Sequence, residues 1–428
     1  MERYDVVILG AGAAGMMAAI EAGRRGRRVL VIDHAKAAGE KIRISGGGRC
    51  NFTNLGLGVE RFISKNPRFA LSALKRFTAL DFVARIDAAG IAWHEKTLGQ
   101  LFCDGSAREV VALLLADMAR ARVALSLNCA LGEVRRAGAG FEVDTARGPV
   151  MAAKVIVATG GKSIPKMGAT GYGYKVAESF GLALVETRPA LVPLTFAEQE
   201  LDWMAPLSGV SLTVRAAVQA GAVQAGAEQA KTLLAGAVQG RAVQAGSVQA
   251  GATVGPAFEE AVLFTHRGLS GPAVLQISSY WREGQGVRLA LCPGLDVVAA
   301  LRAAKAANRR QGVRTALAAL LPERLARVLA VQLGLGEAVL ATLSAAELAR
   351  ISRHLQDWSL MPVGSEGYRT AEVTLGGVDT DGLDARTMEA KAVPGLYFVG
   401  EVVDVTGWLG GYNFQWAWSS GWAAGQAV

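Results

Sequence analysis

The sequence predicts an α/β fold, a mostly parallel sheet interrupted by a smaller α+β segment, and three observations predict it. First, Tyr4–Leu9 is an apolar run of strand length that enters Gly10-x-Gly12-x-x-Gly15, then a helical pattern, then a second apolar run from Arg28 to Asp33. Second, Val155–Ala158 is another such run and enters Thr159-Gly160-Gly161. Third, Gly395–Val399 leads into Gly400-Glu401-x-x-Asp404, and a helix opens after Gly410-Gly411. Between the second and third signals the texture changes, with short β-like segments first and Ala/Leu/Arg/Glu-rich helices after them.

Taken in order, the first helix is expected through about Arg25. The stretch Ala38–Asn54 is Gly-rich, and within it Ser45–Asn51 reads as loop. From about Pro67 to Arg122 the chain reads as helical, because Phe69, Ala73, Phe77, Leu80 and Val83 recur at helical spacing. Val123–Leu127, Phe141–Asp144 and Val155–Ala158 read as strands. The inserted segment is expected over 189–358, between a nucleotide-binding domain over 1–188 and its closing part over 359–428. Inside it, Val210–Val214 and Ala261–Phe264 read as strands, and Asp296–Arg353 as helices with Pro322 in a first turn. Residues 217–251 repeat approximately every five (AVQAG, AVQAG, AEQAK, TLLAG and so on). The repeat lacks one bulky residue at a fixed place, so it reads as an expanded, flexible hairpin loop and not as a solenoid.

The glycine fingerprint has a physical reading. Gly10 allows a tight turn, Gly12 lets a pyrophosphate reach the backbone, and Gly15 lets helix pack on strand. The helix N-terminus at Ala13 and Ala14 offers unpaired N–H groups to an anion. Asp33, at the end of the next strand, is placed to accept ribose hydroxyls. This is a Rossmann-type pattern, and by itself it does not separate NAD from FAD. The end of the chain does. A terminal strand with an acid, here Gly400-Glu401 and Asp404, resembles the segment that meets the ribityl chain in FAD enzymes of the glutathione-reductase type. The helix opened by Gly410-Gly411-Tyr412-Asn413 would face the pyrimidine edge of the flavin, where reduced flavin carries negative charge. Thr159-Gly160-Gly161 resembles the central turn of the same fold.

The resemblance becomes specific at Lys41-x-x-x-Ser45-Gly46-Gly47-Gly48-Arg49-Cys50-Asn51, followed by Thr53-Asn54. With Thr265-His266-x-Gly268-x-Ser270-Gly271-Pro272, Val373-Thr374-x-Gly376-Gly377-Val378 and the Gly-Gly-Tyr-Asn helix, it resembles the BaiN/YhiN-type flavoprotein family over nearly the whole chain except the pentapeptide insert. The resemblance implies an FAD domain interrupted by a smaller cap. It implies a hydride transfer through the flavin N5, with members that reduce a ribosomal RNA uridine to dihydrouridine, reduce enones, or oxidise an amine such as aminoacetone. An acid after the second strand is often Glu in such proteins and is Asp33 here.

Read from the residues themselves, three successive glycines let backbone lie against a flat ring or a phosphate. Lys41, Arg43 and Arg49 add charge for an anion. Cys50 reads either as a general acid or as a small residue packed behind the loop. His266 reads either as a catalytic imidazole or as a loop brace. Trp408, Trp416, Trp418 and Trp422 read as helix packing or as an aromatic wall. No second G-x-G-x-x-G follows a strand, so NAD(P)H is expected to dock only transiently as reductant. Four scattered cysteines and four histidines predict no metal site and a reducing compartment. No stretch reads as a membrane span or a cleaved leader, and a soluble cytoplasmic protein is expected. The net charge of +8 fits an acidic partner such as RNA. The alternatives are a small-molecule oxidoreductase and a non-catalytic flavin-bearing module.

Overall fold

The computed structural model describes residues 2–220 and 253–428. They form two units, one made of Met1–Ala190 with Tyr368–Val428, the other of Leu191–Gly367. The second unit runs beyond 358 because Trp358–Leu360 and Gly364–Ser365 pair into its sheet. The pentapeptide stretch falls outside the described residues from 221 to 251. Its first residues, 217–219, end the strand Ser211–Gln219.

In the first unit the strands lie in the order Ala124–Ser126, Val29–Ile32, Arg3–Leu9, Val150–Val157, Gly140–Thr145, Leu131–Ala137. The first four are mutually parallel. Val150–Val157 divides its outer edge between two partners. Val150–Ala152 pair antiparallel with Phe141–Val143, and Val155–Val157 pair parallel with Leu396–Phe398. These central strands read as continuous apolar runs because both faces are covered. Val6, Val7, Ile8 and Leu9 have no solvent exposure.

One covering layer joins the first helix, Ala13–Arg24, to the last, Tyr412–Ala427. Glycine makes the approach possible. A Cβ on Gly421 would stand 2.3 Å from the Ala14 carbonyl oxygen, and one on Gly425 would stand 2.7 Å from that of Ala18. On its other face the last helix buries Trp416 and Trp418. Trp418 stacks on Phe82 with ring centroids 4.3 Å apart and donates from Nε1 to the Phe52 carbonyl at 2.8 Å. Trp422 stacks on Phe77. These three tryptophans therefore pack the helix.

The region read as helical from Pro67 to Arg122 is more divided. Helices Leu71–Arg76 and Ala79–Ala88 are separated at Phe77–Thr78. Thr78 starts the second with a capping box, its hydroxyl accepting from Asp81 N while the Asp81 carboxylate accepts from Thr78 N. The break resets the helical phase, so Leu80 is 67% exposed while Phe82, Val83 and Ile86 are buried. Trp93–Glu95 and Gln100–Cys103 form strands, the latter paired with Asn51–Asn54.

The second unit is a seven-stranded antiparallel sheet with helices. Its central pair is Ser211–Gln219 with Thr253–Thr265. Helices Val297–Ala307, Val313–Ala318, Glu323–Gln332 and Ala345–Gln356 follow. Pro322 is the cap before Glu323, not a first-turn residue. No helix among the described residues is long and apolar enough to cross a membrane.

Candidate functional site

The glycine turn after the first strand has one residue for each constraint. Gly10 has φ +110°, and a Cβ there would stand 2.4 Å from the Ala158 carbonyl oxygen. One on Gly15 would stand 2.0 Å from the Gly10 oxygen. A Cβ on Gly12 would meet nothing within 4 Å. Gly10 and Gly15 are thus required by packing, whereas Gly12 faces open space at the start of a helix whose first N–H groups point outward. Asp33 braces this turn, accepting from Ala11 N at 2.6 Å and from Ala35 N at 2.8 Å. Each of its oxygens retains a lone pair for a ribose hydroxyl.

The Lys41–Asn51 segment is a short helix that unwinds at Ser45. Gly46, Gly47 and Gly48 follow with φ of +57°, +66° and +88°. Such backbone is open to glycine and strained for other residues. A Cβ on Gly46 would press on the Phe102 ring at 2.8 Å, but one on Gly47 would meet nothing. The Ser45 hydroxyl is turned back to the Ile42 carbonyl at 2.8 Å. Arg43 donates to the Ala38 carbonyl, and Arg49 is exposed. The Asn51 amide lies among Gln100, Leu101 and Thr53. Cys50 sits behind the loop without solvent exposure, and burial pushes its thiol up to about 12.

Lys41 reaches across the site to Glu401. Its Nζ donates to Glu401 Oε2 at 2.8 Å and to the Ser163 hydroxyl at 2.6 Å. Glu401 Oε1 accepts from Thr374 N at 2.9 Å and from Ser163 Oγ at 3.0 Å. Burial alone would raise the Glu401 carboxyl. The charge and hydrogen bond of Lys41, with the donors from Thr374 and Ser163, outweigh it and hold the group below the usual carboxylate range. Thr374 Oγ1 in turn accepts from Lys162 N and Ser163 N, at 2.8 and 3.2 Å. Gly161 leaves room for this knot, since a Cβ there would stand 2.3 Å from Thr374 Oγ1. At Gly160 φ is +71°. The Thr159 hydroxyl is buried with no partner among the described residues.

Other expected residues serve the backbone here. A Cβ on Gly376 would stand 2.1 Å from the Glu186 oxygen and one on Gly377 2.5 Å from that of Val402. Gly400 is held between Ser420, which receives its N–H at 3.0 Å, and Trp416, which donates to its carbonyl at 3.0 Å. Asp404 is buried and occupied by Lys65 N at 2.8 Å and the Ser64 hydroxyl, so it fixes that turn. Gly410 and Gly411 both have positive φ and admit the Gln100 side chain and the Thr53 backbone. Tyr412 packs edge-on against Phe62. Asn413 clamps Gly407, accepting its N–H and donating to its carbonyl, both at 2.8 Å. Ser163 was not anticipated as a site residue, although it directly follows the Thr159–Lys162 turn.

His266 belongs to the antiparallel unit. It is exposed at the tip of the hairpin between Thr253–Thr265 and Gly268–Ser270, with no hydrogen-bond partner among the described residues. The bonds that fix the hairpin come from Thr265, whose hydroxyl donates to the Gly268 carbonyl and accepts from Arg267 N.

These features fit a dinucleotide with an attached ring system. A Cβ on Gly12 or Gly47 would meet nothing within 4 Å, and the Thr159 hydroxyl has no partner among the described residues.

The family model of the HI0933-like protein Rossmann domain matches residues 4–427. The chain is 47% identical over 427 residues to a ribosomal RNA dihydrouridine synthase of Escherichia coli K12, covering 100% of this chain and 98% of that protein. A protein of the same name from Haemophilus influenzae is 39% identical, with 100% and 99% covered. A 3-dehydro-bile acid delta(4,6)-reductase of Clostridium scindens is 28% identical, with 98% of each covered.

Proposed function

The chain belongs to the HI0933-like Rossmann family, and from that membership we propose that it is an FAD-dependent reductase that converts a ribosomal RNA uridine to dihydrouridine. The observation that carries the substrate is the 47% identity, end to end, with a protein named for that activity. FAD, when bound, supplies the hydride for the uracil ring.

The chain's own residues hold and orient. Gly12 and the helix it opens take the pyrophosphate, with Asp33 on the ribose. Glu401, kept ionised and fixed by Lys41, Ser163 and Thr374, is the rigid acceptor for the ribityl hydroxyls. The Gly46–Gly48 run and the start of Tyr412–Ala427 would lie against the flavin ring. NAD(P)H serves as a transient reductant. Cys50 packs behind the loop, without solvent exposure. His266 is the candidate proton donor to the ring carbon. The target base must leave its stack to be reduced.

Mass spectrometry of ribosomal RNA from a deletion strain tests the substrate. One dihydrouridine should vanish and return on complementation, and its persistence would sink the proposal. A second reading, reduction of an enone metabolite, is favoured by the bile acid reductase relative. It predicts enone-dependent NAD(P)H consumption by the purified protein with the RNA unchanged.

A further inference from the structure

Several cations among the described residues are neutralised by nearby carboxylates. Arg85 pairs with Glu21, Arg135 with Glu133, Glu142 and Asp144, Lys65 with Asp379 and Asp381, and Arg288 with Asp357. One stretch concentrates cations without any acid beside them in sequence. Between Asp296 and Glu323 the sequence carries Arg302, Lys305, Arg309, Arg310 and Arg314, and no acidic residue at all. The four arginines are exposed, and none has an ion-pair or side-chain hydrogen-bond partner among the described residues. Lys305 alone is engaged, donating to the Leu343 carbonyl at 2.6 Å.

The stretch is a firm platform. Helix Val297–Ala307 is capped by Asp296, whose carboxylate accepts from Ala299 N at 2.9 Å. Val297 and Leu301 are buried beneath it, as are Val313, Ala316 and Leu317 beneath the next helix. The turn between them is tied down. Ala341 N donates to the Arg309 carbonyl and Leu340 N to that of Gln311, both at 2.8 Å. Asn308 Oδ1 accepts from Arg310 N at 3.0 Å. The arginines therefore project from ordered backbone, which lowers the entropy lost when they engage a ligand.

The composition selects the ligand chemistry. Exposed, unpaired guanidinium groups suit phosphate oxygens. Residues 297–357 contain no Phe, Tyr or Trp. A surface that binds single strands needs such rings for bases to stack on. Charge without rings suits a duplex, whose bases are already stacked and whose backbone is presented outward.

We propose that helix Val297–Ala307, the turn after it and the first turn of Val313–Ala318 form a phosphate-docking face for folded, double-stranded RNA. The proposal deepens the ribosomal RNA reading and rests on it. On this face the chain docks on a duplex region while the target base is taken elsewhere.

The test uses the full-length, flavin-loaded protein and a fluorescent RNA duplex of about 20 base pairs. Arg302, Arg309, Arg310 and Arg314 are changed together to Gln, and separately together to Lys. Flavin absorbance should be unchanged in both. The Gln protein should bind the duplex at least about tenfold more weakly, and its slope of log K against log salt should be shallower by about one per arginine removed. The Lys protein should stay within about threefold of the parent, because the charges remain. An Arg135→Gln protein should bind like the parent. Equal duplex binding by the Gln and parent proteins would overturn the proposal. So would tighter binding of oligo-uridine than of duplex by the parent, or a loss confined to phosphatidylglycerol vesicles. Dihydrouridine in the deletion strain is scored separately. If complementation restores it but the Gln protein still binds duplex like the parent, the docking face is wrong and the substrate reading stands. If the deletion never removes it, the substrate reading fails whatever the binding shows.

Discussion

Lys41 and Glu401, 360 positions apart, meet at 2.8 Å and share the Ser163 hydroxyl between them. The pair joins the short helix before the glycine run to the turn after Leu396–Phe398. The glycine-rich segment and Glu401 are therefore parts of one bonded unit, and a change in either should be felt by the other.

Replacing Glu401 by Gln should cost about 1–3 kcal/mol of stability, since Lys41 loses its counter-charge in a largely enclosed place. FAD should bind more weakly as well. Urea unfolding of the holoprotein and a flavin titration check both. Full stability with normal flavin affinity would remove Glu401 from the site.

The same pair sets an acid limit. Glu401 is held below its ordinary range. Its contribution is therefore complete above its unfolded pKa of about 4.3 and is lost as pH falls through the lower folded value. The stability gap between the parent and Glu401→Gln proteins should be constant near neutrality and close below about pH 4. A gap that widens on acidification would contradict this.

The two classes of glycine should separate cleanly. Gly12→Ala adds a methyl to open space, so the flavin-free protein should melt near the parent temperature while FAD affinity falls by about a hundredfold, or roughly 2.7 kcal/mol. Gly15→Ala drives a methyl into the Gly10 carbonyl and should destabilise the flavin-free protein itself by about 1–3 kcal/mol. Calorimetry without flavin distinguishes them.

The cysteines set an alkaline limit. Burial pushes the thiols of Cys50 and Cys103 to about 12. Their contribution to stability is whole below an unfolded pKa of about 8.5 and is lost as pH rises toward the folded value. Both should resist a disulfide reagent at pH 8 until the protein is unfolded. Rapid labelling of Cys50 in the native state would return it to consideration as an acid.

His266→Ala should lower turnover by about 10² to 10⁴ and leave flavin affinity unchanged, if the imidazole delivers the proton. The pH profile of turnover should lose one limb. Unchanged turnover would retire His266 from the reaction.

The sequence was most legible where backbone conformation restricts the residue. Gly10, Gly15, Gly376 and Gly411 sit where a Cβ would strike a carbonyl, and such positions show in a sequence as clustered glycines. The parallel strands were legible because burial on both faces makes them uniformly apolar. The helical stripe from Phe69 to Val83 misled, because periodicity does not show that Thr78 and Asp81 restart the helix between its third and fourth members. Gln100–Cys103 escaped notice because a four-residue strand has too short a pattern to separate from helix. Ser163 carries no signature of its own. Its role arises from Glu401 and Lys41, which only the fold brings to it.

The divided edge of Val150–Val157 also bears on how the chain is made. Residues Val155–Val157 receive their parallel partner, Leu396–Phe398, only after the whole antiparallel unit has been synthesised. Until then the nascent chain carries an apolar strand with an open edge, and the first helix lacks the last one, whose Gly421 and Gly425 pack on Ala14 and Ala18. An unpaired edge of this kind invites association with other chains. Ribosome-bound chains stopped before Leu396 should therefore be cut readily by protease within the first sheet and should depend on chaperones, whereas the released full-length chain should resist.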